Sequence, residues 1–158
     1  MNRKTMTNLK HILLVEDNSN DVELTLTALK EGRIVNNVVV VRDGEQALDY
    51  IFHRGAFDDR EGGEPGVVLL DLKMPKVDGL EVLEQMKSDE RTKRVPVVVL
   101  TSSRQEIDLV KSYNLGANAF VVKPVEFGEF VEALKQTSIF WAIVNEPPPS
   151  DARFNGAS

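Results

Sequence analysis

Five residues that could take part in chemistry stand at the ends of short apolar runs. They are Glu16, Asp17, Asp71, Thr101 and Lys123. In an open parallel sheet, ligands bind beyond the carboxyl ends of the strands, where residues from distant parts of the chain meet. Taken singly, each residue has an ordinary explanation, as a solvated turn, a helix cap, a satisfied strand-end hydroxyl or a surface charge. Their shared position predicts one site with three carboxylates, a hydroxyl and an ammonium group.

The three carboxylates limit the chemistry of this site. Packed together they repel one another, unless a cation lies among them or their pKa values rise. Oxygen ligands of this kind suit Mg²⁺, which takes phosphate oxygens among its remaining ligands. A carboxylate can also accept a phosphoryl group and become an aspartyl phosphate. The sequence therefore predicts a Mg²⁺ and phosphoryl site in which Lys123 and Thr101 hold the remaining phosphoryl oxygens.

The apolar runs that must position these residues are continuous and rich in Val, as is typical of strands covered by helices on both faces. They span 12–15, 38–41, 67–70, 97–100 and 119–122. Apolar residues recur at helical spacing between and after them, in stripes that begin at Val22, Ala47, Leu80, Ile107 and Phe127. Strand and helix thus alternate five times. The pattern predicts an α/β fold with a parallel sheet and right-handed crossovers.

Length and charge exclude several classes of protein. The chain has 158 residues, 42% of them hydrophobic, which predicts one globular domain with a real core. Its net charge of −6 argues against a nucleic-acid partner. The chain has no cysteine, hence no disulfide framework or thiolate site. The polar N-terminal segment and the short first apolar run fit neither a signal peptide nor a membrane span, so we predict a cytoplasmic protein without membrane contact.

Two segments depart from the regular pattern. The linker 53–66 holds four glycines and four acidic residues, which predicts a mobile surface loop, either a tolerated insertion or a partner-specific contact. After Val144 the chain enters a run of three prolines and a polar end. We therefore divide the chain into an N-terminal segment 1–10, a domain 11–145, and a Pro-rich tail 146–158 that is predicted to be disordered.

The last predicted helix continues as SIFWAIV and becomes apolar nearly all round. Such a helix should be buried by something. It either folds back on its own domain or forms a homodimer interface, and we favour the homodimer. The residues assigned to that interface are Ile139, Phe140, Trp141 and Ile143.

Four ordered motifs resemble the receiver domains of two-component response regulators. They are HILLVEDN, LLDLKMPKVDG, VVLTSS and FVVKP, and the resemblance covers residues 11 to 137. It implies a flavodoxin-like (βα)5 fold of strand order 2-1-3-4-5 and phosphorylation of Asp71 by a sensor histidine kinase. It also implies Mg²⁺ bound by Asp17, Asp71 and the backbone carbonyl of Lys73, with Glu16 acting through a metal-bound water.

The same resemblance assigns further roles. Thr101 and Lys123 would grip the phosphoryl group, and Phe120 occupies the position of an aromatic switch that turns inward as the Thr101 hydroxyl moves. The Lys123-Pro124 bond is commonly cis in the family. RDGEQALDYIF, the Gly-rich linker, the double serine and the late FW resemble single-domain regulators that accompany phytochromes. Ser102 departs from the alanine found in many receivers, and its larger side chain could narrow access to the phosphoryl group.

Two other functions fit parts of the pattern. Haloacid-dehalogenase-type phosphatases also use a strand-end Asp, but their turnover needs a second Asp two positions on, where this chain has Lys73. A pseudo-receiver would serve as a scaffold without being phosphorylated, which the complete set of pocket residues disfavours. We therefore predict a signalling protein, not an enzyme acting on other substrates, whose surface changes on phosphorylation of Asp71.

Overall fold

The structure is a computed structural model that describes residues 10–34, 36–74 and 77–135, with the backbone alone at 112 and 113. Five parallel strands form one sheet in the order β2-β1-β3-β4-β5, which confirms the predicted fold class and strand order. β3 and β4 each run one residue past the predicted apolar run and so include Asp71 and Thr101. The strands are β1 (Ile12–Val15), β2 (Val38–Val41), β3 (Val67–Asp71), β4 (Val97–Thr101) and β5 (Ala119–Val122).

Five α-helices alternate with the strands in the described part of the chain. They are α1 (Ser19–Glu31), α2 (Gly44–Ile51), α3 (Gly79–Lys87), α4 (Arg104–Tyr113) and α5 (Phe127–Lys135). The first four begin at N-cap residues whose side chains accept the backbone N–H three residues on, which satisfies a donor that the helix leaves free. These N-caps are Asn18, Asp43, Asp78 and Ser103. Because of these caps, α1 begins soon after the end of β1, and α4 begins soon after the end of β4.

The sheet is buried on both faces, as its continuous apolar runs predict. One face, with Ile12 and Leu14, packs against α1 and α5. The other face, with Leu13 and Val15, packs against α2, α3 and α4. Alternate residues of each strand therefore enter opposite cores. The strands are rigidly placed between two helix layers, and their carboxyl ends form one edge.

The start of α3 approaches the end of β3 closely. A Cβ atom at Gly79 would lie 2.4 Å from the carbonyl oxygen of Asp71 and 2.7 Å from the Cα of Leu72. Since real Cβ atoms essentially never come within 3.0 Å of such backbone atoms, only glycine fits without a shift. The Gly79 N–H also donates to the Leu72 carbonyl oxygen at 2.9 Å. This contact ties the loop after Asp71 to α3.

The linker 53–66 contains a single 3₁₀ turn, Gly55–Phe57. Farther along it, the Arg60 guanidinium lies 3.8 Å from the centroid of the Tyr50 ring, and its Nε donates to the Tyr50 carbonyl oxygen at 2.8 Å. These contacts join the middle of the linker to the end of α2. Its mobility stays a prediction.

Several predicted features lie outside the described residues. These are the apolar helix end with the proposed interface residues Ile139, Phe140, Trp141 and Ile143, the tail 146–158, and residues 1–9. Within the described ranges, no helix is both long and apolar enough to cross a bilayer.

Candidate functional site

The carboxyl edge of the sheet carries the predicted site residues. Glu16 follows β1 directly, Asp71 and Thr101 are the last residues of β3 and β4, and Lys123 follows β5. The strands pair in register, with Val15 beside Leu70, Asp71 beside Leu100 and Thr101 beside Val122. Glu16, Asp71 and Thr101 are buried. The register and the buried positions give these side chains little freedom to move apart.

Three carboxylates converge at this edge. Glu16, Asp17 and Asp71 each offer an oxygen, and these atoms lie within 4.8 Å of one another. Burial and the neighbouring Asp71 charge raise the pKa of Glu16 to about 7, although Lys123 opposes the shift. Burial also raises the pKa of Asp71, against the charge of Lys123 and a hydrogen bond from Lys73 N–H. The three crowded carboxylates, of which Glu16 and Asp71 are buried, are an oxygen donor set that fits Mg²⁺.

Lys123 is the positive centre of the cluster. Its Nζ lies 3.1 Å from Glu16 Oε1, 3.4 Å from Asp71 Oδ1 and 2.9 Å from Asp21 Oδ2. Burial acts to lower the pKa of this ammonium group, but the hydrogen bond to Asp21 and the charges of Asp71 and Glu16 outweigh it and raise the pKa. Lys123 therefore stays charged, with its side chain only 14% exposed. The following Lys123-Pro124 bond is cis, as the resemblance implies.

Asp21 was not expected in this site. It lies in the first turn of α1, where an acidic residue is ordinary because it complements the helix dipole. The local sequence does not distinguish an acidic residue that only complements the helix dipole from one that also contacts a distant lysine. Its contact with Lys123 depends on how α1 is placed on the sheet face that it shares with α5.

The Thr101 hydroxyl is held on the other side of the site. It hydrogen-bonds to Glu106 Oε1, and it also lies 3.0 Å from the Ser103 carbonyl oxygen. The backbone N–H of Ser102 donates to the same Glu106 oxygen at 3.2 Å. Burial acts to raise the pKa of Glu106, but hydrogen bonds from Thr101 and Ser102 and the charge of Lys73 prevail and lower it. Glu106 is a second unexpected member, although Ser103-Arg104-Gln105-Glu106 is a capping-box pattern that could have drawn attention to it.

Lys73 contacts both Asp71 and Glu106, whereas Phe120 lies near Lys111. The Lys73 backbone N–H donates to Asp71 Oδ1 at 3.4 Å, while its Nζ lies 3.0 Å from Glu106 Oε2. Phe120 is partly buried, and Lys111 Nζ lies 5.6 Å from the centroid of its ring. Ser102 is exposed. The carbonyl of Lys73 as a metal ligand and the ring of Phe120 as a switch stay predictions.

A groove of about 730 Å³ opens beside the carboxylates, between the segments that follow β3 and β4. Its lining includes the charged residues Asp17 and Lys73 and the apolar residues Leu80 and Leu109. Asp17 is the exposed member of the carboxylate cluster, so the cluster can be approached from this side. The site as a whole is a charged cluster at the sheet edge that is accessible from the groove at Asp17.

This fold and this arrangement of side chains define a class of protein. Residues 12–135 match the response regulator receiver domain family, and that range is more than half of the chain. The chain belongs to this family. The prediction of a two-component receiver domain is confirmed.

Individual relatives narrow the relationship. The structure of the bacteriophytochrome response regulator RtBRR is 60% identical, with a TM-score of 0.82 over 89% of this chain and 85% of that one. The bacteriophytochrome response regulator AtBRR is 59% identical, with a TM-score of 0.83 over 88% of this chain and 99% of that one. Rcp1 from Synechocystis sp. is 36% identical over 84% of this chain and 88% of its own length. The predicted relationship to phytochrome-associated regulators is confirmed.

Rcp1 is also known as a structure in a Mn²⁺-bound form, which is 34% identical with a TM-score of 0.65 and covers 86% of this chain and 90% of that one. Receiver domains therefore bind divalent metal, and the carboxylate cluster of this chain has a composition suited to the same kind of ion.

Proposed function

We propose that this protein accepts a phosphoryl group on Asp71 from a sensor histidine kinase in a Mg²⁺-dependent reaction. The observation that carries the proposal is the convergence of three carboxylates with the Lys123 ammonium group at one sheet edge. Family membership supplies the general role, since receiver domains act with histidine kinases. The residue assignment rests on the geometry of this chain.

The proposed reaction moves the phosphoryl group from a histidine nitrogen of the kinase to Asp71. An oxygen of the Asp71 carboxylate attacks the phosphorus of a phosphohistidine, so a P–O bond forms as the P–N bond breaks. The electron pair of the P–N bond stays on the imidazole nitrogen, which takes a proton from solvent. Asp71 becomes a mixed acyl phosphate. When bound, Mg²⁺ supplies charge neutralisation for the phosphoryl oxygens, and the proposed ligands are Asp17, Asp71 and the carbonyl of Lys73, with Glu16 assisting through water.

Two side chains of this chain complete the pocket in the proposal. Lys123 already lies 3.4 Å from Asp71 Oδ1, so its charge can pair with an oxygen of a phosphoryl group added there. Thr101 supplies a hydroxyl donor from the neighbouring strand. Neither group needs to lose a proton.

Lys73 favours signalling over turnover. It stands two residues after Asp71, where a phosphatase of the haloacid-dehalogenase type needs a general acid and base. An ammonium group cannot deprotonate the hydrolytic water. The protein therefore catalyses only its own phosphorylation and dephosphorylation. A pseudo-receiver scaffold is not favoured, because each acceptor-site position holds a competent residue.

The signal leaves through the surface built from α4, β5 and α5. A groove of about 750 Å³ lies on this face, and Ile107, Phe120 and Glu129 are among its lining residues. A phosphoryl group adds between one and two negative charges at Asp71. Movement of Thr101 toward it would reach this face through Phe120, which is the proposed switch.

The partners follow from the relatives. RtBRR and AtBRR are described as bacteriophytochrome response regulators, so we propose a bacteriophytochrome histidine kinase as the phosphoryl donor. We further propose a homodimer through the apolar segment that contains Phe140, and a cytoplasmic location. The proposed receiver domain spans 11–145.

The test uses acetyl phosphate and Mg²⁺ with intact-mass detection. The wild-type protein should gain one phosphoryl group, and Asp71→Asn should gain none. Asp78→Asn is a matched control, because Asp78 follows the same strand but serves as the N-cap of α3, and it should still be phosphorylated. An unchanged adduct in Asp71→Asn, or no adduct in the wild type, would show that the assignment is wrong.

A further inference from the structure

Two hydrogen-bond donors and one cation converge on the carboxylate of Glu106. The Thr101 hydroxyl and the Ser102 N–H donate to Oε1, and the Nζ of Lys73 lies 3.0 Å from Oε2. The Glu106 side chain is only 13% exposed, although it projects from the first turn of a surface helix. A hydroxyl, a backbone N–H and an ammonium group are the donor types that hold a phosphoryl oxygen. An internal anion therefore occupies groups of the kind that a phosphoryl group added at Asp71 would attract.

Helix capping explains only part of this arrangement. Ser103 is the N-cap of α4, and Glu106 is its third helical residue. At α4, the Glu106 side chain accepts the N–H of Ser102, the residue before the N-cap. At α2, the third helical residue does the same: the Gln46 side chain accepts the N–H of Arg42, the residue before the N-cap Asp43, at 2.9 Å. A neutral amide is thus enough for the backbone contact. The contacts of Glu106 with Thr101 and Lys73 are additional, and the ion pair with Lys73 requires the charge.

We propose that Glu106 is a positioning residue that holds the Thr101 hydroxyl and the Lys73 ammonium group while Asp71 is unphosphorylated, and that phosphorylation displaces it. This inference rests on the proposed phosphorylation of Asp71. The new phosphoryl group competes for the same donors and repels the carboxylate. Once Thr101 turns to the phosphoryl oxygen, Glu106 loses its hydroxyl partner and the first turn of α4 is released.

This displacement connects the pocket directly to the proposed output face. Arg104 stands in the same first turn as Glu106, and Ile107 follows Glu106, and both residues line the groove of that face. A change at Glu106 therefore moves groove residues without requiring a change in the sheet. The route is separate from the one through Phe120 on β5.

The experiment measures binding of the phosphoryl mimic beryllofluoride, with Mg²⁺ present, to the wild type, Glu106→Gln and Glu106→Ala. Removing the competing carboxylate should lower the half-saturating beryllofluoride concentration. The decrease should be about tenfold for Glu106→Ala, because its side chain no longer accepts the Thr101 hydroxyl, and smaller for Glu106→Gln, which keeps a neutral acceptor. A residue with only a structural role would weaken this binding when removed. Glu81→Gln is the matched control, since Glu81 holds the same helical position in α3 but its carboxylate contacts Gln85, and it should bind like the wild type.

Hydrogen exchange provides the second readout. Amides at the start of α4 should exchange faster in unliganded Glu106→Ala than in the unliganded wild type. The wild type bound to beryllofluoride should show the same increase, and unliganded Glu81→Gln should exchange like the unliganded wild type. If the wild type binds no beryllofluoride and takes no phosphoryl group, the proposed function is wrong. If the wild type binds but both Glu106 variants bind equally or more weakly, this inference is wrong. Glu106→Gln keeps a capping acceptor, so it decides the matter if Glu106→Ala fails to fold.

Discussion

The site has two halves that differ in how their side chains are arranged for the proposed phosphorylation of Asp71. The acceptor half consists of Glu16, Asp71 and Lys123. A carboxylate oxygen of Glu16 and one of Asp71 both lie within 3.4 Å of Lys123 Nζ. The reporter half consists of Thr101 and Lys73, whose donors contact Glu106 instead. In the proposed function, the acceptor half is arranged to receive the phosphoryl group, and the reporter half stays bound to Glu106 until Asp71 is phosphorylated. The difference separates acceptance of the signal from its transmission, and each half can be tested alone.

The largest expected effect is on the acceptor half. Lys123→Met should slow phosphorylation by acetyl phosphate about 100-fold, because a buried cation aimed at the developing charge is lost. The rate can be followed by intact mass at saturating Mg²⁺.

Lys73→Met is the matched control from the reporter half, since the Lys73 side chain is 78% exposed. Its rate should stay within about tenfold of wild type, because exposed ion pairs contribute little. Equal losses in the two variants would contradict the proposed division of the site.

The next effect concerns the backbone that holds the acceptor half. Gly79→Ala should lower the free energy of unfolding by about 2 kcal/mol, because the new methyl group would overlap the carbonyl of Asp71 and the structure must shift. Urea unfolding measures this. Gly128→Ala is the control, since a Cβ there meets nothing within 4 Å. If both substitutions are neutral, α3 does not tie down the end of β3.

A smaller effect is expected at Thr101. Thr101→Ala should slow phosphorylation about tenfold, through loss of one hydroxyl donor, yet leave Asp71 able to accept the group. Hydrogen exchange of α4 and β5 should then no longer respond to phosphorylation. Thr101→Ser keeps the hydroxyl and should keep the response. A normal response in the Ala variant would mean that transmission does not pass through this side chain.

The smallest effect is that of metal on stability. Mg²⁺ at about five times its dissociation constant should raise the free energy of unfolding by about 1 kcal/mol, since it binds only the folded carboxylate cluster. Thermal or urea unfolding with and without the metal measures the difference. Asp17→Asn should remove most of it, whereas Asp43→Asn, an N-cap at the start of α2, should not. A gain of equal size in both variants would place the bound metal elsewhere.

Much of the acceptor half could be predicted from sequence because its residues follow apolar runs. Burial on both faces of a parallel sheet makes each run continuous, and its end marks the sheet edge, as at Asp71 and Lys123. Asp21 and Glu106 could not be found in this way. Each is an acidic residue in the first turn of a helix, which is a common place for such a residue whether or not it contacts a site.

The sequence by itself determined the five strands, their parallel arrangement and the class of chemistry at their ends. These features depend on local hydrophobic pattern and residue type, which act over a few positions. Only the tertiary structure decided that Asp21 meets Lys123 and that Glu106 meets Thr101 and Lys73. Those contacts depend on how each helix is placed against the sheet, and that placement follows from packing among residues far apart in the chain.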